Sequence, residues 1–193
     1  MALVLEGPDC TGKTTLALEL CKEGNTKYLD RLRHPNCYKK PGSEGRGAGC
    51  FDVCEGIEAH EIWDRWWISE WAYSLLHGRE FGVEYPMQLL ELSMIAYRKR
   101  VVVVIPCIPT IIHRMYYQQR GDDQISMEQL DTLRYIYYDK LLGVDQGPPK
   151  SLTLKCKIDE SFRRIQRFLP PITHSWQEAL AMERNYYDLK EQS

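Results

Sequence analysis

Two apolar stretches stand out along the chain, Ala2–Leu5 and residues 101–105. The second is continuous, rich in β-branched residues and without alternation, which is typical of a parallel strand covered on both faces. Three further stretches are predicted to be strands, at residues 27–33, 59–64 and 152–158. Together these patterns predict a sheet of about five strands.

Helical patterns fill the intervals between these strands. Ser126 and Gln129 have the spacing of a capping box, which predicts that a helix begins after residue 126. Asp159 is predicted to cap another helix, which ends before Pro170 and Pro171. The predicted helices are the segment with Leu16, Ala17 and Leu20, and residues 68–76, 86–99, 109–119, 127–142, 159–168 and 175–190.

The alternation of strands and helices predicts an α/β fold. We expect one open parallel sheet with right-handed crossovers and helices on its faces. Residues 1–170 are predicted to form one domain, and residues 171–193 a helical extension with no assigned role. Ligands bind beyond the carboxyl ends of the strands in such a sheet. The segments predicted to meet there are residues 7–14, 33–56, 64–65 and 106–107.

The strongest chemical signal lies between the first strand and the first helix, where Gly7, Gly12, Lys13 and Thr14 match G-x-x-x-x-G-K-[ST]. Main-chain N–H groups must wrap a triphosphate closely, and glycine permits the backbone conformations that this needs. The helix dipole faces the phosphates, Lys13 adds a charge, and the Thr14 hydroxyl is placed to bind Mg²⁺. The motif therefore predicts binding of ATP and Mg²⁺. Its predicted contact residues are Gly7, Cys10, Thr11, Gly12, Lys13, Thr14 and Thr15.

The composition, 44% hydrophobic and 27% charged with a net charge of −2, is that of an ordinary soluble globular protein. The overall charge gives no sign of nucleic-acid binding, so only a local patch would indicate it. No uncharged apolar run approaches the roughly 20 residues of a membrane span, and no basic leader precedes the first strand. We therefore expect a cytoplasmic protein with no membrane partner. The 7 cysteines are expected to be reduced thiols, because their number is odd and their spacing does not suit zinc.

Three motifs resemble the thymidylate-kinase-like branch of nucleotide kinases. The first, EGPDCTGKTTLA at residues 6–17, holds Asp9 inside the glycine-rich loop. The second, DRWWISEWAYS at residues 64–74, is similar to the family's D-R-[YFH]-x-x-S-x-x-A-Y. The third is similar to the family's P-x-x-x-x-R and lid R-G, and consists of Pro109, Arg114, Arg120 and Gly121. The resemblance implies a three-layer P-loop kinase fold.

On the donor side, the resemblance implies that Lys13 and Thr14 hold the donor phosphates and Mg²⁺. Asp64 would assist the metal or the acceptor. Arg114 and Arg120 would close over the transferring phosphoryl group, although a solvated helix face explains these two arginines as well. These roles suit phosphoryl transfer, which depends on positioning and on neutralising the charge of the equatorial oxygens.

On the acceptor side, the resemblance implies that Asp9 contacts the acceptor sugar and that Arg65 clamps the acceptor. The alternative for Asp64 and Arg65 is a surface ion pair at a strand end. One or two of four tryptophans are expected to face the acceptor and stack on a base, with Trp66 or Trp67 nearest this pair, although aromatic residues around a short helix are more often part of the core. The four are Trp63, Trp66, Trp67 and Trp71.

The acceptor side also departs from the family pattern. The family's R-E-P-G-G-T turn and the helical wall after it are replaced by KKPGSEG at residues 39–45 and a short glycine-rich link. Lys39 and Lys40, with Arg46, either replace the family's arginine or line an open groove. Residues 27–46 carry 6 basic residues against 2 acidic ones, enough positive charge to follow a few phosphates of DNA. The alternative is a solvated basic loop.

The sequence therefore predicts an Mg-ATP-dependent phosphotransferase that moves the γ-phosphoryl group to a thymidine-like pyrimidine, most conservatively a deoxynucleoside monophosphate such as dTMP. The alternative is the activity of some phage-type relatives, which phosphorylate the hydroxymethyl group of 5-hydroxymethyluracil within DNA. A hydroxyl acceptor needs a general base, for which Asp9, Asp64 and Glu44 are candidates. A third hypothesis is a P-loop ATPase or nucleotide-dependent switch. The sequence does not determine the oligomeric state, and a homodimer is compatible with it.

Overall fold

The computed structural model describes residues 1–22, 32–33, 57, 61–79, 86–121, 125–144, 147–179 and 181. The strands in these ranges are β1 (Ala2–Leu5), β2 (Leu32–Arg33), β3 (Ile62–Asp64), β4 (Val101–Val104) and β5 (Ile172–Thr173). The helices are α1 (Lys13–Lys22), α2 (Trp67–Leu76), α3 (Pro86–Arg98), α4 (Thr110–Arg120), α5 (Met127–Arg134) and α6 (Leu152–Ile165). A π-helical segment (Tyr135–Leu141) continues α5, and a 3-10 turn (Gln166–Phe168) follows α6.

The strands form one parallel sheet in the order β2-β3-β1-β4-β5. This confirms the predicted α/β fold with a parallel sheet of five strands in the described part of the chain. Leu5, at the end of β1, is paired with Asp64 on one side and with Val104 on the other. The carboxyl ends of the three central strands therefore lie side by side, at the edge where ligands bind in such folds.

Alternate residues of the central strands point to opposite faces of the sheet. Ala2 and Val4 pack into the larger apolar cluster, which includes residues of α2, α3, α5 and α6. Leu3 and Leu5 pack into a smaller cluster with residues of α1 and with Ala179. Helices therefore cover both faces of the sheet, as the predicted three-layer arrangement requires.

The predicted capping box of the fifth helix is confirmed. The Ser126 hydroxyl accepts a hydrogen bond from the Gln129 N–H (3.2 Å), and the Gln129 side chain accepts one from the Ser126 N–H (2.7 Å). The helix then changes to π-helical geometry over Tyr135–Leu141. Such wider turns within helices occur frequently at functional sites.

The prediction of a strand at residues 152–158 is wrong, because these residues begin helix α6. Ser151 caps this helix by accepting a hydrogen bond from the Leu154 N–H (3.2 Å), and Asp159, the predicted cap, lies inside it. The stretch LTLKCKI alternates like a strand, but its buried positions follow the helical period. The residues of α6 that pack into the larger cluster are Leu154, Ile158, Phe162 and Ile165.

Strand β5 takes the place of the wrongly predicted strand, with Ile172 paired to Val103 and Thr173 paired to Val104. It lies within the stretch 171–193 that was predicted as an extension, so the first residues of that stretch belong to the sheet. A strand of two residues is too short to show a hydrophobic period. Several predicted segments lie outside the described residues, namely 27–31, 34–56 and 182–193.

Cys10, Cys107 and Cys156 are free thiols, as expected for these members of the cysteine set. Within the described ranges, none of the helices has both the length and the apolar character needed to cross a bilayer.

Candidate active site

The glycine-rich loop that the motif predicts to bind phosphate, residues 7–12, lies between β1 and α1 and is called the phosphate-binding loop below. Gly7 and Gly12 have φ angles of 131° and 80°, conformations that a residue with a Cβ rarely adopts. Cys10 also has a positive φ of 62°, which is uncommon for a residue other than glycine. The loop therefore makes the sharp turns for which the motif needs its glycines.

Lys13, the first residue of α1, lies against this loop. Its Nζ donates hydrogen bonds to the carbonyl oxygens of Gly7 (3.0 Å) and Pro8 (2.6 Å). Burial, assisted by the charge of Arg65, lowers the pKa of Lys13 to about 8. The amine is therefore mostly protonated at neutral pH, and a phosphate group in the loop would stabilise the charged form further.

Thr14 and Asp64 place two side-chain oxygens, which could bind a metal ion, beside the loop. The Thr14 hydroxyl donates to Asp64 Oδ2 over 3.3 Å. The described residues contain no group of three or more His, Cys, Asp or Glu side chains that could hold a metal. Mg²⁺ does not need such a group, because it binds one or two protein oxygens and completes its shell with waters and substrate phosphates. The Thr14–Asp64 pair fits the predicted magnesium ion.

A second cluster joins Asp9 of the loop to Arg65 and Tyr73. Asp9 Oδ1 accepts a hydrogen bond from Arg65 Nη2, and Asp9 Oδ2 accepts one from the Tyr73 hydroxyl (2.9 Å). The Arg65 guanidinium lies 5.2 Å from the centre of the Tyr73 ring, within cation–π range. Burial by itself would raise the pKa of Asp9, but the charges of Arg65 and Lys13 outweigh it and lower this pKa. Asp9 is therefore ionised at neutral pH.

Asp64 and Arg65 are consecutive residues, yet they contact different parts of the loop segment. Asp64 contacts Thr14 and Arg65 contacts Asp9. Arg65 has a positive φ of 76°, and its N–H donates to the carbonyl of Leu5 (2.9 Å), so the chain turns at this point while still tied to β1. Both residues of the predicted Asp-Arg pair therefore contact the segment around the loop, and Asp64 is buried there.

Glu6, which sequence reasoning missed as a site residue, lies behind the loop and is fully buried. Its Oε1 accepts hydrogen bonds from the N–H groups of Trp66 (2.7 Å) and Ser69 (3.2 Å) at the start of α2. Its Oε2 accepts from the hydroxyls of Ser69 and Tyr137. Burial raises the pKa of Glu6 to about 7 despite these hydrogen bonds. The available signal was an acidic residue directly after a fully apolar strand.

The two predicted lid arginines lie in different surroundings. Arg120, at the end of α4, has its Nη1 3.9 Å from the Cys10 sulfur, so it lies beside the loop. Arg114 forms an exposed ion pair with Asp131, at distances of 3.3 and 2.5 Å. The structure therefore brings Arg120 to the phosphate-binding loop, while the Arg114 side chain contacts α5.

The prediction that Trp66 or Trp67 stacks on a base is wrong in this structure. Both residues are only 1% exposed, and they pack edge to face against each other inside the larger apolar cluster. Trp63 and Trp71 are buried in the same cluster. A base cannot reach these rings because they are buried. Aromatic area of this size stabilises the core when it is buried.

The remaining predicted contact residues divide between the loop and the undescribed segments. Thr11 is buried and its hydroxyl donates to the Pro8 carbonyl (3.0 Å). Gly12, Thr14 and Thr15 are exposed at the rim of the loop. The predicted acceptor-side and base candidates that lie outside the described residues are Lys39, Lys40, Glu44 and Arg46.

Comparison with models of known protein families gives no match, and comparison with curated proteins gives none either. Among solved structures, the chain is similar to the YorR protein of Bacillus subtilis, which was crystallised in complex with phosphorylated GDP. The two chains are 18% identical, the alignment covers 99% of this chain and 96% of that one, and the TM-score is 0.50. At this identity the likeness shows that the two chains share a fold.

Proposed function

We propose that this protein is an Mg-ATP-dependent phosphotransferase. On the donor side, the loop and Lys13 supply backbone N–H groups and a cation for the triphosphate, and Thr14 with Asp64 supplies oxygen ligands for Mg²⁺. Magnesium would neutralise charge on the donor phosphates, and the side chains named here would hold it in place.

The observation that carries the proposal is the arrangement of Asp64 and Arg65 around one loop. Asp64 is tied to Thr14, where the donor phosphates and metal would bind, and Arg65 is tied to Asp9 and Tyr73 next to it. Phosphoryl transfer requires the donor and acceptor to be held in line, with the charge between them neutralised. A simple nucleotide switch would not need this second cluster.

For the acceptor, we propose a thymidine-like pyrimidine, most conservatively a deoxynucleoside monophosphate such as dTMP. The resemblance of the loop and of the 64–74 segment to thymidylate-kinase-like enzymes supports this choice. The Asp9–Arg65–Tyr73 cluster also supports it, since it offers a carboxylate for a sugar hydroxyl and a guanidinium for a phosphate.

The experiment is an acceptor panel with γ-labelled ATP and Mg²⁺. The acceptors are dTMP, deoxynucleosides, plain DNA and DNA containing 5-hydroxymethyluracil, with GDP included because YorR was crystallised with phosphorylated GDP. Transfer to dTMP is the expected result. Label only in the modified DNA would replace the acceptor with a hydroxymethyl group, and label released only as free phosphate would favour an ATPase or switch.

A matched pair of lysine variants links the result to the loop. Lys13→Ala should abolish transfer, because it removes the buried cation that contacts the loop. Lys157→Ala, at an exposed position of α6, should leave transfer unchanged. Retained activity of Lys13→Ala at saturating ATP would mean that the loop does not hold the donor.

A further inference from the structure

Besides Arg65 and Tyr73, a histidine of α4 contacts the phosphate-binding loop, and no motif assigns this histidine a role. His113 is completely buried, and its Nε2 lies 2.5 Å from the carbonyl oxygen of Asp9. Its other ring nitrogen, Nδ1, lies 2.9 Å from Nη1 of Arg134. The ring therefore stands between the last residue of α5 and the backbone of the loop.

The partners of the His113 ring fix where its proton is. An arginine side chain can only donate, so Nδ1 must accept the hydrogen bond from Arg134. The proton of a neutral ring then lies on Nε2, which donates to the Asp9 carbonyl. Arg134 is itself held by the carbonyl of Ile108 (3.2 Å) and the hydroxyl of Thr110 (2.9 Å). Arg134, which is buried, thus determines that the Nε2–H group of His113 faces the loop as the donor.

The bonded carbonyl belongs to the peptide that precedes Cys10, the loop residue with a positive φ of 62°. A non-glycine residue keeps such a conformation only when its surroundings hold it there. The Asp9 carboxylate is bound by Arg65 and Tyr73, and the Asp9 carbonyl is bound by His113. Both the side chain and the backbone of Asp9 are therefore fixed.

We propose that His113, oriented by Arg134, is a positioning residue of the phosphate-binding loop: it holds the Asp9–Cys10 peptide so that the loop keeps its phosphate-binding shape. This inference rests on the proposed function, since the shape matters for ATP. His113 touches neither substrate nor reacting atoms in this arrangement and acts through the loop backbone.

Arg134 can orient the His113 ring in this way only while the ring is neutral. The charged groups that face it are Arg134 from α5, Asp9 from the loop and Lys13 from α1. Burial, and the positive charges of Arg134 and Lys13, keep the pKa of His113 below its ordinary value. As the pH falls, a second proton on Nδ1 would remove the acceptor for Arg134 and set two cations against each other. The contribution of His113 to the loop is therefore lost under acidic conditions.

The test compares wild type with His113→Ala and His113→Gln, whose terminal amide retains an N–H donor. His174→Gln, at an exposed histidine, is the matched control. ATP binding is measured by calorimetry and loop flexibility by amide hydrogen exchange of the ligand-free protein, with thermal melts to confirm folding. We expect about tenfold weaker ATP binding and faster exchange in residues 7–12 for His113→Ala. His113→Gln should recover most of both.

The pH dependence separates positioning from a general loss of packing. The binding advantage of wild type over His113→Gln should shrink as the pH falls below about 6.5, the ordinary pKa of histidine, because only wild type has a ring at this position that gains a proton. Unchanged ATP binding and loop exchange in a folded His113→Ala, or an advantage that does not vary with pH, would overturn the inference. Failure of wild type itself to bind ATP would instead overturn the proposed function, and the exchange data would still decide whether His113 holds the loop.

Discussion

Replacing Glu6 by glutamine tests the buried network behind the loop. Glu6 Oε1 accepts from the backbone N–H groups of Trp66 and Ser69, while Oε2 accepts from the hydroxyls of Ser69 and Tyr137. A glutamine can reproduce this pattern, because its oxygen can take the two N–H groups and its amide can donate to the hydroxyls. The substitution therefore removes the ionisable group and keeps the same partners, with the two hydroxyls accepting from the amide where they donated to the carboxylate.

The expected effect on stability follows from the pKa of Glu6, which burial raises from 4.5 to about 7. The folded state then binds this proton more tightly than the unfolded state does, so the contribution of Glu6 to stability is present at low pH and is lost as the pH rises through about 7. A rise of this size corresponds to about 3 kcal/mol, because one pKa unit is worth about 1.4 kcal/mol. Glutamine carries no such dependence.

The assay is urea unfolding of wild type and Glu6→Gln at several pH values between about 4 and about 8. We expect the free energy of unfolding of wild type, relative to the variant, to fall by about 3 kcal/mol across this range. Glu160→Gln controls for the loss of a carboxylate at an exposed position. A difference that stays constant, or that grows in favour of wild type as the pH rises, would refute the reasoning.

Three further predictions test separate parts of the account. Asp64→Asn should raise the Mg²⁺ concentration for half-maximal activity roughly tenfold, measured by Mg²⁺ titration at fixed ATP; no change would mean that this carboxylate does not bind the metal. Tyr73→Phe removes the hydroxyl that donates to Asp9 and should raise the acceptor KM about fivefold with the ATP KM unchanged; equal changes in both would contradict an acceptor role. Ile158→Ala should destabilise the protein by about 2–5 kcal/mol, whereas Leu152→Ala, at a position that is 72% exposed, should cost less than about 0.5 kcal/mol; similar losses in urea unfolding would contradict the packing of α6.

The phosphate-binding loop and the central strands could be predicted because their signals are local. A fully apolar run next to a glycine-rich motif of fixed spacing fixes both the strand β1 and the turn that follows it. The sequence of strand β4 is equally clear, because a continuous run of valines is typical of a strand covered on both faces. In the structure all four of these valines are buried.

The errors came from patterns that fit two structures equally well. LTLKCKI alternates over seven residues like a strand, and only the longer spacing to Phe162 and Ile165 reveals the buried face of a helix. Trp66 and Trp67 follow the Asp-Arg pair in the chain, but adjacency in sequence does not say which way a side chain points. In the structure they fill the core.

The supporting residues of the site could not be predicted because their partners are distant in the chain. Glu6 meets Trp66 from 60 positions away, and His113 meets Asp9 from 104 positions away. Neither hydrophobic periodicity nor a short motif predicts such a contact. The parallel sheet and its crossovers bring these residues together only when the chain folds.

The most direct test of the central claim is the stoichiometry of a single reaction with ATP, Mg²⁺ and dTMP. Formation of ADP and of phosphorylated dTMP should occur in equal amounts, should require both substrates, and should disappear in Lys13→Ala but not in Lys157→Ala. Formation of ADP together with free phosphate, at the same rate with and without dTMP or any other acceptor of the panel, would contradict the account.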